Sequence, residues 1–222
     1  MDANSFFLKL RVVLLAASIC TASSDVDVYS LASAVDNHYN HLRTLQCEFT
    51  ETYTGLGTDR TESGTLWLKK PGKMRWEYRS PSEKVFVSDG KTAWFYVPGE
   101  QQVRKTEVKK LDDLRSPLGF LLGKTRLEKE LHGLSFAPDL TPLIPGNVIL
   151  RGAPESMADR VSQVLLEITP EYAISRISVQ AMDGSTTEYR LSGQKEDIPL
   201  LDSMFEFKIP PGAEVIEGSF GQ

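Results

Sequence analysis

The side chains that could do chemistry are few and scattered. His38 and His41 lie three residues apart, near enough to share a helical turn. A metal site needs more ligands than two, and no other stands at a matching spacing. A nucleophilic Cys47 would need a histidine base, and neither this pair nor His132 sits in a context that marks one. There is no Gly-x-Ser-x-Gly elbow and no glycine-rich phosphate loop. Asp89 stands in an Asp-Gly pair, where a carboxylate ordinarily holds turn backbone. No nucleophile, base and orienting group come together. The chain is therefore read as a non-enzyme with no cofactor and no metal. A net charge of −5 offers no positive field, which excludes nucleic acid as a partner.

What the chain has in quantity is aromatic surface. Trp67, Trp76, Tyr78, Phe86, Trp94, Phe95 and Tyr96 crowd into one stretch, Gly64 to Val103. Rings bind apolar ligands as readily as they fill cores, and the pattern is satisfied equally by a packed interior and by a wide, ring-lined concavity.

The elements that carry these rings read as an antiparallel meander. Leu66 and Leu68 share a face away from Trp67. Lys70 to Lys73 breaks the run. Met74, Trp76 and Tyr78 then alternate with Arg75, Glu77 and Arg79, as in a strand with one apolar side. Pro81 makes the next break, Val85 to Val87 the next strand. Asp89-Gly90 joins it to Ala93–Val97, a pair that favours a type I′ hairpin turn.

On these residues the chain resembles the periplasmic lipoprotein carrier family LolA. GTLWLKKPGKMRWEY and VSDGKTAWFYVP look like the family's G-x-L-W-x-K-(R or K)-P strand and turn, tryptophan-containing return strand and V-S-D-G-K-T-x-W-F-Y hairpin. Ser116-Pro117-Leu118 through Leu122 continues the likeness, and Phe205 to Gly212 is similar to its closing F-x-F-x-P-P-x-G strand. Phe49-Thr50-Glu51 stands where the family usually has F-x-Q. Residues 124–165 match weakly.

The resemblance implies a carrier for the acyl chains of lipoproteins crossing the periplasm. Its partners would be an inner-membrane lipoprotein-releasing ABC transporter and an outer-membrane acceptor protein or the membrane itself. It implies an acyl cavity lined by Leu66, Leu68, Met74, Trp76, Tyr78, Val85, Val87, Trp94 and Tyr96. A lid would be built from Leu31, Val35, Leu118, Phe120, Leu121 and Leu122. Many relatives place arginine before the first-turn proline to latch the lid onto helix backbone. Lys70 occupies that place here, with a point charge instead of a planar fork. A sensor of lipidated proteins, or a carrier of another apolar lipid, stays open as an alternative. Lys69, Lys73 and Arg75 are read as a solvated strand end, or as contacts for acidic partners or headgroups.

Around this centre the chain divides simply. Lys9 and Arg11 precede the apolar run 12–19, and small residues follow up to Ala22, so residues 1–22 read as a cleaved secretory leader. The periplasm follows, as does one carrier domain over residues 23–222. Cys47 alone would remain, so no internal disulfide is expected, and the thiol is read as a buried small hydrophobe. Leu31, Val35, Tyr39, Leu42 and Leu45 form one stripe of a helix over residues 25–46. Phe49 to Tyr53 is the first strand. Ser116-Pro117 caps a short apolar helix ending at Gly123, a second short helix runs from about Thr125 to Leu131, and residues 133–147 read as a loop. Alternation at Val164/Leu166/Ile168, Ile177/Val179/Ala181 and Thr187/Tyr189/Leu191 supplies the remaining strands, and Phe205, Phe207 and Ile209 close the sheet. The expected fold is mainly β: an incomplete antiparallel barrel of ten or eleven strands, with helices as a lid over its apolar concave face. Nothing demands more than a monomer.

Overall fold

A computed structural model describes residues 27–55, 57–110, 121 and 126–218. The expected leader and the segment holding Leu118, Phe120 and Leu122 lie outside the described residues.

Helix α1 (Val28–His41) opens the fold. Asp27 caps it, accepting from the Ser30 N–H. The helix stops earlier than its apolar stripe suggests, because Leu42 turns to extended backbone and Leu45 already belongs to a strand. Twelve strands follow among the described residues. They are β1 (Thr44–Gly55), β2 (Thr58–Lys69), β3 (Lys73–Ser80), β4 (Lys84–Asp89), β5 (Thr92–Val97), β6 (Gln102–Glu107), β7 (Leu131–Phe136), β8 (Val148–Pro154), β9 (Val161–Ile168), β10 (Ile174–Ala181), β11 (Thr186–Glu196) and β12 (Glu214–Glu217). A four-residue helix, α2 (Leu127–Glu130), precedes β7, close to where the second short helix is expected.

All twelve join one sheet in the order β12-β6-β5-β4-β3-β2-β1-β11-β10-β9-β8-β7. Pairing is antiparallel except between β12 and β6. The sheet does not close: β7 and β12 are its two edges. This is the incomplete barrel that the pattern predicts, with β6, β7 and β12 as the strands it did not anticipate. The sequence around β7 reads as loop because it holds a register shift and a glycine with φ of 67° instead of clean alternation. At the Asp89-Gly90 hairpin only Gly90 of the two turn residues has positive φ, the II′ pattern in place of the expected I′. Asp89 serves the turn, accepting from the Lys91 and Thr92 N–H groups at 2.7 Å each.

The register sorts every side chain to one of two faces. On one, Leu45, Leu68 and Met74 align across three strands, then Cys47, Leu66, Trp76 and Phe86, then Phe49, Gly64 and Tyr78. Leu191, Tyr189, Ile177, Leu166 and Leu150 continue this face through β11, β10, β9 and β8. These residues and α1 make up one core. Burial pushes the Cys47 thiol up to about 12, which leaves it an inert hydrophobe.

The opposite face has its own cover. After β11 the chain crosses the back of the sheet instead of adding a closing strand. Asp202–Phe205 forms a 3₁₀ turn, and Phe207 packs its ring on Trp94 and Tyr96, centroids 6.2 and 6.1 Å away. Val87, Val103 and Phe205 are buried but lie outside the main core. Lys69 and Lys73 both bridge to Asp202, at 2.8 and 3.0 Å, and Arg75 donates to the Met204 carbonyl. The basic strand end therefore clasps the chain's own C-terminal segment. Farther along the same side, loop 137–147 folds down on Glu167, whose carboxylate accepts from the Leu143 and Ile144 N–H groups and the Asn147 amide.

Gly64 shows how tightly the meander is wound. A Cβ there would stand 1.8 Å from the Glu77 carbonyl oxygen, which is backbone and cannot swing away. Gly64→Ala is expected to lower unfolding free energy by about 3 kcal/mol or more, measured by urea denaturation.

Candidate functional site

The concave face has two chemically distinct ends. At the first, where β1 begins and β2 finishes, α1 lies against the sheet. It buries Leu31, Ala32, Val35 and Tyr39. Leu121 is 1% exposed and joins them. A cavity of about 10 Å³ lies between Leu42, Arg43, Thr44, Leu45, Leu68, Lys70 and Leu121, room for about one water molecule. Among the described residues, α1 and Leu121 pack into the core at this end.

Polar links hold α1 in place. Lys70 Nζ donates to the Tyr39 carbonyl. That oxygen is one of the last four in the helix, which have no partner within it. The lysine thus satisfies an orphan acceptor, and its charge suits the helix C-terminus. The Tyr39 hydroxyl accepts from the Ile174 N–H at 2.8 Å, and His38 Nε2 meets Glu196 Oε1 at 2.9 Å. At the helix's other flank, both Asp36 oxygens accept from the Leu127 N–H, at 3.1 and 3.0 Å, and so cap α2 from outside. His38 and His41 do not converge: the second bonds the Asn37 carbonyl. Among the described residues no three His, Cys, Asp or Glu side chains group as a metal would require.

The other end is aromatic and polar. Trp76 packs on Phe49 at 4.7 Å, Tyr189 at 5.9 Å and Tyr78 at 6.1 Å between centroids. Tyr78 donates to Glu51 at 2.9 Å, Lys84 to Glu62 at 2.7 Å, and the Lys84 ammonium sits 4.2 Å over the Tyr78 ring. Burial raises the Glu51 carboxyl, with the Tyr78 hydrogen bond opposing it, and burial likewise raises Tyr78 and Tyr189.

Of the expected cavity residues, Leu66, Leu68, Met74, Trp76 and Tyr78 share this face. Val85, Val87, Trp94 and Tyr96 do not. They pair with Glu77, Arg75 and one another across β3, β4 and β5, and so point to the back of the sheet beneath the C-terminal segment. Phe86, Ala93 and Phe95 take their places. The alternation fails in β4 and β5 because both faces are covered, and a strand buried on both sides is apolar throughout. Phe86 opposite Trp76 was the available signal. Leu31 and Val35 lie on the concave side, as does Leu121.

The family described as outer membrane lipoprotein carrier protein LolA matches residues 40–208. An outer-membrane lipoprotein carrier protein of Nitrosospira multiformis is 28% identical over 94% of this chain and 97% of its own. Another, from Alkalilimnicola ehrlichii, is 31% identical over 97% and 98%. An uncharacterized conserved protein from Thermus thermophilus shares the fold, with a TM-score of 0.51 and 14% identity over 85% of this chain and 97% of that one.

Two measurements test how α1 is held. Lys70→Met leaves the Tyr39 carbonyl without its donor, so stability is expected to fall by about 1–2 kcal/mol and exchange of the Leu42 amide to quicken. Asp36 is raised by burial from 3.8 to about 6, with the Leu127 N–H partly opposing. The folded chain then holds that proton more tightly than the unfolded chain. Stability should fall as pH rises from about 4 to about 6. In Asp36→Asn the urea midpoint should lose this component of its pH slope.

Proposed function

Because the chain belongs to the outer membrane lipoprotein carrier protein LolA family, we propose that it shields the acyl chains of lipoproteins on the concave face of its sheet. It is a lipoprotein carrier of the periplasm. On this reading the chain reaches that compartment through removal of residues 1–22, takes cargo from an inner-membrane ABC transporter, and gives it up to an outer-membrane acceptor or to the membrane. It does so without catalysing a reaction of its own.

One observation carries the reading: α1 covers one end of an apolar face whose other end is ring-lined, through an apolar stripe and a small set of polar links at its margins. Such a cover suits a carrier for an energetic reason. Each buried CH₂ contributes about 0.8 kcal/mol, so one long acyl chain gains on the order of 10 kcal/mol. Several chains together would approach the practical limit of non-covalent affinity, near about −20 kcal/mol, and release would stall. Displacing α1 and Leu121 subtracts from that gain. In the free protein the same side chains stand in for the acyl chains and keep a large apolar patch from water. Leu31, Val35 and Leu121 are the described members of this cover. Lys70 is its latch, and its hydrogen bond to the Tyr39 carbonyl breaks when cargo enters.

Photo-crosslinking from the two faces tests the assignment. Benzoylphenylalanine at position 86 should crosslink a triacylated protein in periplasmic extract, identified by mass spectrometry, whereas the same group at position 94 should not. Equal crosslinking from both positions, or none from position 86, overturns it.

A further inference from the structure

The Trp76 indole is 3% exposed, and among the described residues its Nε1–H meets no acceptor. Buried indole donors ordinarily find a partner, and an unmade one is a standing cost to the fold. It belongs to the concave face, directly across from Leu66 on β2 and Phe86 on β4. One step along the strands lie Tyr78 and Lys84, and beyond them Glu51, Glu62 and Tyr189. Leu45 and Glu51 are six residues apart on β1, about 20 Å of extended chain, so the Glu51 side of this cluster stands well away from the end that α1 covers, with Trp76 between the two.

We propose that Trp76 and the adjoining Glu51, Tyr78 and Tyr189 form a polar subsite that takes the neutral carbonyl of an acyl ester or amide at the head of a bound chain. The subsite rests on the carrier reading and specifies which part of the ligand goes where. The class follows from the chemistry. An indole N–H only donates, so its partner must accept. Phe49, Tyr78 and Tyr189 surround the indole, so the partner must bring an apolar body with it. Glu51 and Glu62 stand nearby, and the Lys84 ammonium is already paired to Glu62 at 2.7 Å. A free carboxylate or phosphate would meet unfavourable charge there, whereas an ester or amide carbonyl would not. The burial that raises the Glu51 carboxyl works in the same direction, since a more readily protonated group repels a carbonyl less.

The test compares diacylglycerol, which carries ester carbonyls, with hexadecane, which has none, by displacement of an apolar dye. At position 76, benzothienylalanine keeps the bicyclic shape and removes only the N–H, and Trp76→Phe serves as the genetically simple second variant. The preference for ester over hydrocarbon should fall about tenfold in both, the value of one hydrogen bond. In the unaltered protein the Trp76 indole proton should move downfield in NMR spectra with diacylglycerol and stay in place with hexadecane, with Trp67 and Trp94 as internal references. A preference that survives both replacements overturns the subsite and leaves the carrier standing. Failure of the unaltered protein to bind either probe overturns the carrier reading, and the subsite with it.

Discussion

The fold is governed by one constraint: a wide apolar sheet face cannot be left in water. Strand alternation sends Leu45, Leu66, Leu68, Trp76, Phe86, Leu166 and Ile177 to the same side of a sheet that does not close. A closed barrel would bury such a face against itself. An open one must borrow a cover, and α1 is that cover. The same demand recurs on the back, where Val87, Trp94 and Tyr96 would be exposed if the chain ended at β11. The C-terminal segment answers it, pinned by Lys69 and Lys73 on Asp202.

The two covers are held differently. The back is clasped by ion pairs, the buried Phe205 of a 3₁₀ turn and packed rings. On the concave side, the polar links of α1 sit at its margins: Lys70 to the Tyr39 carbonyl, His38 to Glu196, Asp36 to α2. Each such link contributes a modest increment, on the order of 1 kcal/mol. Contacts of that size keep an apolar stripe in register and still yield to a ligand that buries tens of methylenes. The polar cluster around Glu51 belongs to this logic. It puts hydrogen-bonding capacity where α1 does not reach.

Much of this was legible in the residues. The meander, the two-register alternation of β2 and β3, the hairpin at Gly90, and the placement of Leu66, Met74 and Trp76 on one face follow from period-two patterning with polar partners opposite. The pattern failed wherever polarity stopped marking a face. Val85, Val87, Trp94 and Tyr96 could not be sorted from Phe86 and Phe95, because all six are apolar. The helix stripe ran through Leu42 and Leu45, since a spacing of three continues across a helix end into a strand without leaving a mark. A short strand with a shifted register, such as β7, has too few alternations to register at all.

The sequence by itself determined the local architecture and an aromatic density that needed either a core or a ligand. Those depend on neighbours along the chain, and the chain carries them. Tertiary structure alone decided which ring faces which side, that Phe207 covers the back instead of closing the sheet, and that Lys70 reaches a carbonyl thirty-one residues away. It also decided that, among the described residues, the Trp76 N–H is left without an acceptor. The reason is physical: faces, covers and unmet hydrogen bonds are set by contacts between residues distant in sequence, and no local periodicity encodes them.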